Sequence, residues 1–162
     1  MLQAGDVAPD FDLPVLVGGV KGRFRLGERR GKQNVVLAFY PLNWEPVSTQ
    51  QMVAYQVERE KFMACNAEIV GISVDSIMNT TAWEREIGPF DYALCSDFWP
   101  HGEVSRRYGV LRESEPMAGA GERAIFVIGK SGRIEFCRIS PVSELPTIEE
   151  TIGALQSLQT HR

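Results

Sequence analysis

Continuous apolar runs and amphipathic segments alternate along the chain. Residues 34–40 (NVVLAFY) and 67–74 (AEIVGISV) are apolar runs of strand length, which is typical of central strands buried on both faces. Between them, from about Pro46 to Ala64, apolar residues recur at three- and four-residue intervals. This spacing predicts one amphipathic helix, so the pattern indicates strands and helices that pack in layers.

The rest of the chain predicts two hairpins, one short strand and three further helices. Glycine-containing turns at Gly18-Gly19 and Lys21-Gly22 mark the first hairpin, and the turn 129–132 marks the second; such residues are typical of tight turns. The elements predicted after residue 74 are a helix 76–87, a strand 92–94, a helix 101–108, hairpin strands 123–128 and 133–139, and a helix 147–159.

The order of these elements predicts the fold class. Strands that alternate with helices require crossover connections in a central sheet, and the closing hairpin adds antiparallel strands. We therefore expect an α/β fold, a thioredoxin-like three-layer sandwich with a mixed central sheet and an N-terminal β-hairpin extension. A length of 162 residues and the lack of any linker or repeat predict one domain over residues 1–162.

Composition and charge exclude several classes of function. The 17 basic and 21 acidic side chains give a net charge of −4, which argues against a nucleic-acid partner bound by phosphate neutralisation. No apolar run approaches the roughly 20 residues that span a bilayer, so we expect no membrane association. Residues 1–6 (MLQAGD) have neither a basic nor an apolar region and do not predict a signal peptide.

The cysteine pattern indicates a reducing compartment. Cys65, Cys95 and Cys137 are widely spaced and form no CxxC pair, which makes a disulfide framework or a zinc site improbable. We therefore expect a cytoplasmic protein with no metal and no cofactor. All three thiols are predicted to be inert core side chains; Cys95, placed at the end of a predicted strand, is the best candidate for reactivity.

Five segments in register resemble the peroxiredoxin family, the alkyl hydroperoxide reductase and thiol-specific antioxidant group. The bacterioferritin-comigratory-protein-like or one-cysteine branch is the most similar. Each segment is weakly specific, but their order and spacing together are highly specific. The segments are residues 5–11 (GDVAPDF), 39–48 (FYPLNWEPVS), 71–75 (GISVD), 96–98 (SDF) with 108–110 (YGV), and 123–128 (RAIFVI).

The family motif is Pro, three residues, Thr, two residues and the peroxidatic Cys. In this chain Pro41 is retained, Glu45 stands in the threonine position and Ser48 stands in the cysteine position. The resemblance implies that Ser48 lies in the first turn of a helix, that Arg123 faces it, and that Pro41 shields the site. In the family a thiolate of lowered pKa attacks peroxide and becomes a sulfenic acid, which a thiol then reduces.

Ser48 is not expected to perform this step, because a hydroxyl ionises far less readily and has no sulfenic counterpart. Cys65 is a poor substitute, since a continuous helix would place it about 25 Å away. A serine hydrolase is also disfavoured, because the only histidines are His101 and His161 and no GxSxG sequence is present. Ser48 either begins a capping box, Ser48–Gln51, or lies inside the first turn of a helix that begins at Pro46.

The glutamate at position 45 leads to a more specific hypothesis about the site. Serine removes the thiolate charge that faces Arg123, and glutamate three residues earlier restores one negative charge. Because a desolvated arginine without a partner is costly, we predict that Glu45 pairs with Arg123 and occupies the peroxide site. A solvent-exposed Glu45 is the alternative.

Two function classes follow. The first is a peroxiredoxin-family antioxidant oxidoreductase, acting on peroxide with a thiol reductant, with the peroxidatic step disabled at Ser48. The alternative is a non-enzymatic binding, sensing or scaffold protein. The resemblance also implies a homodimer, because Trp83, Phe90 and Trp99 lie near segments that form a dimer edge in relatives; packing in the core accounts for these residues equally well.

Overall fold

A computed structural model of the chain describes residues 1–160. Seven strands, five helices and one 3-10 turn account for most of them. The strands are β1 (Asp12–Val17), β2 (Val20–Arg25), β3 (Asn34–Phe39), β4 (Ala67–Ser73), β5 (Ala93–Ser96), β6 (Arg123–Ile128) and β7 (Ile134–Ser140). The helices are α1 (Pro46–Val57), α2 (Arg59–Ala64), α3 (Ile77–Ile87), α4 (Glu103–Arg107) and α5 (Ile148–Thr160), and the 3-10 turn is Leu26–Arg29.

The strands form one mixed sheet in the order β2-β1-β5-β4-β3-β6-β7. Strands β3, β4 and β5 are parallel, whereas β6 runs antiparallel to β3 and β7 antiparallel to β6. The N-terminal hairpin extends the sheet because β1 pairs antiparallel with β5. The thioredoxin-like fold class expected from the sequence is confirmed.

Each face of the sheet has its own apolar cluster, and β3 together with the next residue, Tyr40, contributes side chains to both clusters. Its alternate residues Val35, Leu37 and Phe39 pack in one cluster, with Phe11, Leu26 and Tyr108. Val36, Ala38 and Tyr40 pack in the other, which α1, α2, α3 and α5 cover. Because successive side chains of a strand point to opposite faces, a strand buried on both sides is apolar at nearly every position, and this accounts for the continuous apolar run. Its one polar residue, Asn34, lies at the start of β3 and donates to the Cys65 carbonyl.

Several predicted boundaries are wrong. The helix expected over residues 46–64 breaks at Glu58, where α1 ends and α2 begins, although no glycine or proline marks the break. Helix α4 begins at Glu103 rather than at His101, because the left-handed residue Gly102 (φ 62°) precedes it. The predicted strand 92–94 begins one residue later and extends to Ser96, where it pairs with Ser73 of β4.

The turn of the first hairpin was also predicted too broadly. Gly18 and Gly19 form it alone, with φ of 55° and 80°, the left-handed values that a two-residue hairpin turn requires. Lys21 and Gly22 lie inside β2, opposite Leu16 and Val15. Within the described residues, no helix is both long and apolar enough to cross a membrane.

Gly71 of β4 packs so closely that a methyl group should not fit. A Cβ atom there would lie 2.9 Å from Leu94 Cδ2 and 3.2 Å from Met52 Sδ. We expect Gly71→Ala to lower the free energy of unfolding by about 1–3 kcal/mol, because added volume in a packed core forces strain. Denaturant unfolding monitored by circular dichroism measures this. Gly22→Ala is the matched control, since the nearest atom to its Cβ is 3.8 Å away; equal effects of the two substitutions would contradict the prediction.

Candidate active site

The predicted site residues meet at one edge of the sheet. Strand β3 ends at Phe39, and the loop that follows contains the buried Pro41 and leads into α1 at Pro46. Strand β6 is antiparallel to β3, with Ala124 opposite Phe39, so Arg123 at the start of β6 lies where β3 ends. The sheet register therefore brings the α1 N-terminus and Arg123 together, although 75 residues separate Ser48 from Arg123.

Glu45 caps helix α1. It has extended backbone angles (φ −70°, ψ 130°), and its carboxylate accepts hydrogen bonds from the backbone N–H groups of Val47 (2.7 Å) and Ser48 (3.0 Å). These two donors have no partner within the helix, and a negative charge is favourable at this end of the helix dipole. The predicted capping box at Ser48 is wrong, because the helix begins at Pro46 and Glu45 already occupies the capping position.

Glu45 and Arg123 form the predicted ion pair. Arg123 Nη2 lies 2.6 Å from Glu45 Oε1, and the alternative of a solvent-exposed Glu45 does not hold, since its side chain is only 19% exposed. Arg123 is completely buried. A guanidinium in that environment requires a partner, because an unpaired buried charge is strongly destabilising.

All five N–H groups of Arg123 have acceptors. Besides Glu45, the acceptors are the Ser48 hydroxyl (3.1 Å from Nη1), Gln51 Oε1 (3.0 Å from Nη1) and the Val142 carbonyl, which Nε and Nη2 contact at 3.1 and 2.6 Å. Five is the full donor capacity of an arginine side chain. The guanidinium is therefore held in one orientation by groups from the helix, the loop and the segment after β7.

Ser48 lies inside this arrangement and is fully buried. Its hydroxyl donates to Glu45 Oε1 at 2.7 Å and accepts from Arg123 Nη1 at 3.1 Å. It is thus the locally bonded residue of a first helical turn, as the second reading of the sequence predicted. His101 is engaged elsewhere, at 2.6 Å from the Gly119 carbonyl, and His161 lies outside the described residues, so no imidazole is found to activate Ser48.

Opposing effects set the protonation of Glu45. Burial by itself raises the pKa of the carboxyl group, because it disfavours the charged form. Hydrogen bonds from the Ser48 hydroxyl, Arg123 and the two backbone N–H groups outweigh burial, and the pKa of Glu45 falls below its usual value of 4.5. Glu45 is therefore ionised at neutral pH, and the ion pair contains one positive and one negative charge.

A buried polar network holds the loop before Glu45. The backbone N–H of Asn43 donates to Asp75 Oδ2 at 2.8 Å, and its side chain accepts from the Tyr40 hydroxyl and donates to Thr80. Trp44, the next residue, has a left-handed φ of 72°, a strained value for a non-glycine residue. Because the backbone N–H and the side-chain amide of Asn43 are all bonded, the network fixes the strained residue that precedes Glu45.

The sequence did not lead us to predict two of the groups that contact Arg123, Gln51 and the Val142 carbonyl. Gln51 lies three residues after Ser48, which places both on one face of α1, so its spacing was a usable signal. The Val142 carbonyl carried no signal, because a backbone acceptor is independent of residue type and its position depends on how the chain leaves β7. Neither the fold class nor the family motif identifies it.

The cysteines lie away from this cluster of polar contacts, and all three are free. Cys95 is not at the end of β5 but one residue inside it, and it is fully buried. Burial raises its pKa well above the usual range for a thiol, so its prediction as the most reactive cysteine is wrong. Burial also raises the pKa of Cys65, which caps α2 beyond the helix break, so the 25 Å separation expected from a continuous helix does not apply.

Comparison with known sequences identifies the family. The AhpC/TSA family description matches residues 4–137. A chloroplastic 2-Cys peroxiredoxin of Hordeum vulgare is 34% identical over 96% of this chain and 74% of its own length, and peroxiredoxin-2 of Mus musculus is 31% identical over 97% and 79%. The chain belongs to the AhpC/TSA family, the peroxiredoxins. The closer assignment to the bacterioferritin-comigratory-protein-like or one-cysteine branch stays a prediction.

Solved structures agree with this assignment. The reduced 2-Cys peroxiredoxin of Plasmodium vivax superposes with a TM-score of 0.91 and 26% identity, covering 99% of this chain and 84% of that one. AhpC of Mycobacterium tuberculosis has a TM-score of 0.86 at 22% identity, covering 98% of this chain and 99% of that one, which shows the shared fold.

Removing the charge of Glu45 should destabilise the protein in a pH-dependent way. We expect Glu45→Gln to lower the free energy of unfolding by about 3 kcal/mol at neutral pH, because it leaves Arg123 buried without a counter-charge. A carboxyl group whose pKa is lowered by folding stabilises the protein above its unfolded pKa, near 4.5, and this contribution is lost as the pH falls through the folded pKa. The difference between the two proteins should therefore shrink below pH 4.5.

Denaturant unfolding at several pH values measures the difference. Glu86→Gln is the matched control, because Glu86 is an exposed residue of α3 and its substitution should change stability by less than about 0.5 kcal/mol. A loss for Glu45→Gln that is equal at pH 3.5 and pH 7 would show that the charge of Glu45 does not stabilise the fold.

Proposed function

We propose that this chain is a peroxiredoxin-family protein, of the antioxidant oxidoreductase class by descent, in which the peroxide-reducing step at position 48 is disabled. One observation carries the proposal: the side chains of Ser48, Glu45 and Arg123 are hydrogen-bonded to one another. Both hydrogen-bonding roles of the Ser48 hydroxyl are used, and Arg123 has no N–H group left for a peroxide.

The chemistry of oxygen supports this reading. In the family reaction a thiolate sulfur attacks one peroxide oxygen, the O–O bond breaks, and the sulfur is oxidised to a sulfenic acid that a thiol reduces. A serine hydroxyl is not ionised at neutral pH and its oxygen has no corresponding oxidised state. Pro41 and Arg123 would then be retained parts of a site whose catalytic atom is missing.

The contacts of Glu45 provide a second argument for the proposal. Its carboxylate lies against Arg123 and at the N-terminus of α1, where the helix dipole and the guanidinium together favour an anion. We infer that Glu45 occupies the peroxide position permanently. A peroxide would have to displace a charged group that makes four hydrogen bonds, from Val47, from Arg123 and twice from Ser48.

Family membership favours the antioxidant class over the alternative of a non-enzymatic binding, sensing or scaffold protein. Any residual activity would use a peroxide and a thiol reductant, as expected from the resemblance. A cytoplasmic location remains a proposal that rests on the three free cysteines, and relatives include chloroplastic proteins.

A peroxide-consumption assay with a thiol reductant tests the proposal. The unmodified protein should show no turnover above background. Ser48→Cys alone should also be inactive, because the Glu45 carboxylate, 2.7 Å from the present Ser48 hydroxyl, would raise the pKa of the new thiol and block the peroxide. The double variant Glu45→Thr with Ser48→Cys should consume peroxide.

Circular dichroism establishes that each variant is folded, and replacement of all three cysteines, Cys65→Ser, Cys95→Ser and Cys137→Ser, is the control for the remaining thiols. Turnover by the unmodified protein that these substitutions abolish would overturn the proposal. Activity of Ser48→Cys equal to that of the double variant would show that Glu45 does not block the site.

We also propose that the chain forms a homodimer through exposed apolar side chains beside the site. The candidates are Trp44, Met78, Phe98 and Trp99, whose exposed fractions range from 50% to 81%. Trp44 reaches α3 through a hydrogen bond to Asn79, and residues 97–99 follow β5 at the same edge of the sheet. Exposed apolar patches mark interaction surfaces. Of the three residues predicted at a dimer edge, Trp83 and Phe90 are instead buried, so Trp99 is the candidate.

Trp99→Asp should weaken self-association. We expect the dissociation constant of the dimer to rise about 30-fold, because loss of a tryptophan at the centre of an interface costs about 2 kcal/mol. Sedimentation velocity over a range of protein concentrations measures the constant. Val20→Asp, at another exposed apolar position, is the control; a monomeric unmodified protein, or equal effects of the two substitutions, would contradict the prediction.

A further inference from the structure

A groove lies beside the buried ion pair, on the side of α1 that faces the chain before α5. It has a volume of about 270 Å³. One wall is formed by α1, with Gln51, Ala54 and Tyr55, and the other by residues 145–149. The groove shares Gln51 with the site described above, but no residue of the family motif lines it.

The groove combines apolar walls with one buried hydroxyl. Ala54, Leu145, Pro146 and Ile148 supply the apolar surface. Tyr55 is buried, and its hydroxyl accepts a hydrogen bond from Gln51 Nε2 at 3.0 Å. Among the described residues, the hydrogen bonds leave the proton of the Tyr55 hydroxyl without an acceptor. A buried donor without an acceptor is costly, and a bound molecule with an acceptor atom would remove that cost.

The charges at the rim restrict the ligand. Glu58 and Glu149 line the opening. Lys61 lies 2.8 Å from Glu58, and the charges of both Glu58 and Glu149 raise its pKa, so two carboxylates and one ammonium group leave this end of the groove with a net negative charge. An anionic ligand is therefore disfavoured. Burial raises the pKa of Tyr55 to about 12, so the phenol keeps its proton and acts as a donor at neutral pH.

We propose that this groove binds a small molecule without negative charge that has an apolar body and a carbonyl oxygen. The carbonyl oxygen accepts the hydrogen bond of the Tyr55 hydroxyl, and the apolar body packs between Ala54 and Leu145. Pockets for small molecules combine apolar walls with a few placed polar groups in this way.

Arg123 is hydrogen-bonded to the segments that form both walls of the groove. Its Nη1 bonds Gln51 in one wall, and its Nε and Nη2 bond the carbonyl of Val142, three residues before Leu145 in the other. The groove is therefore built on the same guanidinium as the ion pair with Glu45. Binding does not require that the peroxidatic step be disabled, so the two proposals can fail separately.

Titration of the full chain with three matched probes tests the proposal. N-phenylacetamide has the carbonyl and an apolar ring, N-ethylaniline lacks the carbonyl, and phenylacetate is an anion. Two-dimensional NMR spectra with labelled methyl groups follow Ala54, Leu145 and Ile148. We expect N-phenylacetamide to shift these methyl signals and to bind about tenfold more tightly than N-ethylaniline, because one hydrogen bond separates these two probes. It should also bind more tightly than phenylacetate, because the acidic rim disfavours an anion.

Two variants complete the test. Tyr55→Phe should reduce the affinity for N-phenylacetamide about tenfold and leave that for N-ethylaniline unchanged. Tyr92→Phe is the matched control, because the hydroxyl of Tyr92 already donates to the Met52 carbonyl and Tyr92 does not line the groove. No shift at millimolar probe, shifts at other methyl groups only, or equal affinity of the unmodified protein and a folded Tyr55→Phe would overturn the proposal.

Discussion

The buried guanidinium of Arg123 is the constraint on which the rest of the site depends. It is completely removed from solvent, and a charge in that position must be neutralised and fully hydrogen-bonded. The N-terminus of α1, the loop after β3 and the segment after β7 all supply groups that meet this requirement. The orientation of α1, the conformation of Glu45 and the path of the chain at Val142 are therefore linked.

The need to neutralise the buried charge of Arg123 also explains how Glu45 and Ser48, the two departures from the family motif, fit the fold. A thiolate at position 48 would supply a negative charge next to Arg123, and the chain instead carries a neutral hydroxyl there and a carboxylate at position 45. The structure keeps one negative charge near the guanidinium but moves it to the capping residue of α1. Glu45 thereby stabilises the helix terminus as well as the arginine.

Much of this organisation could be predicted from the sequence, because it depends on local pattern. The double-sided burial of β3 follows from its apolar run. The pairing of Glu45 with Arg123 follows from charge balance once the resemblance to the family places Arg123 opposite the motif, 78 residues along the chain. The break at Glu58 could not be predicted, since no residue there disfavours a helix. The Val142 carbonyl and the groove beside Tyr55 depend on how distant segments meet, which no local spacing encodes.

The mutual hydrogen bonds of Glu45, Ser48 and Arg123 also have a consequence for substitutions at these positions. Each group is a hydrogen-bond partner of the other two, so a change at one position leaves the others with unpaired charge or an unmet donor. Substitutions at these three positions are therefore expected to be coupled, because they have to change together to keep the buried guanidinium neutralised and hydrogen-bonded.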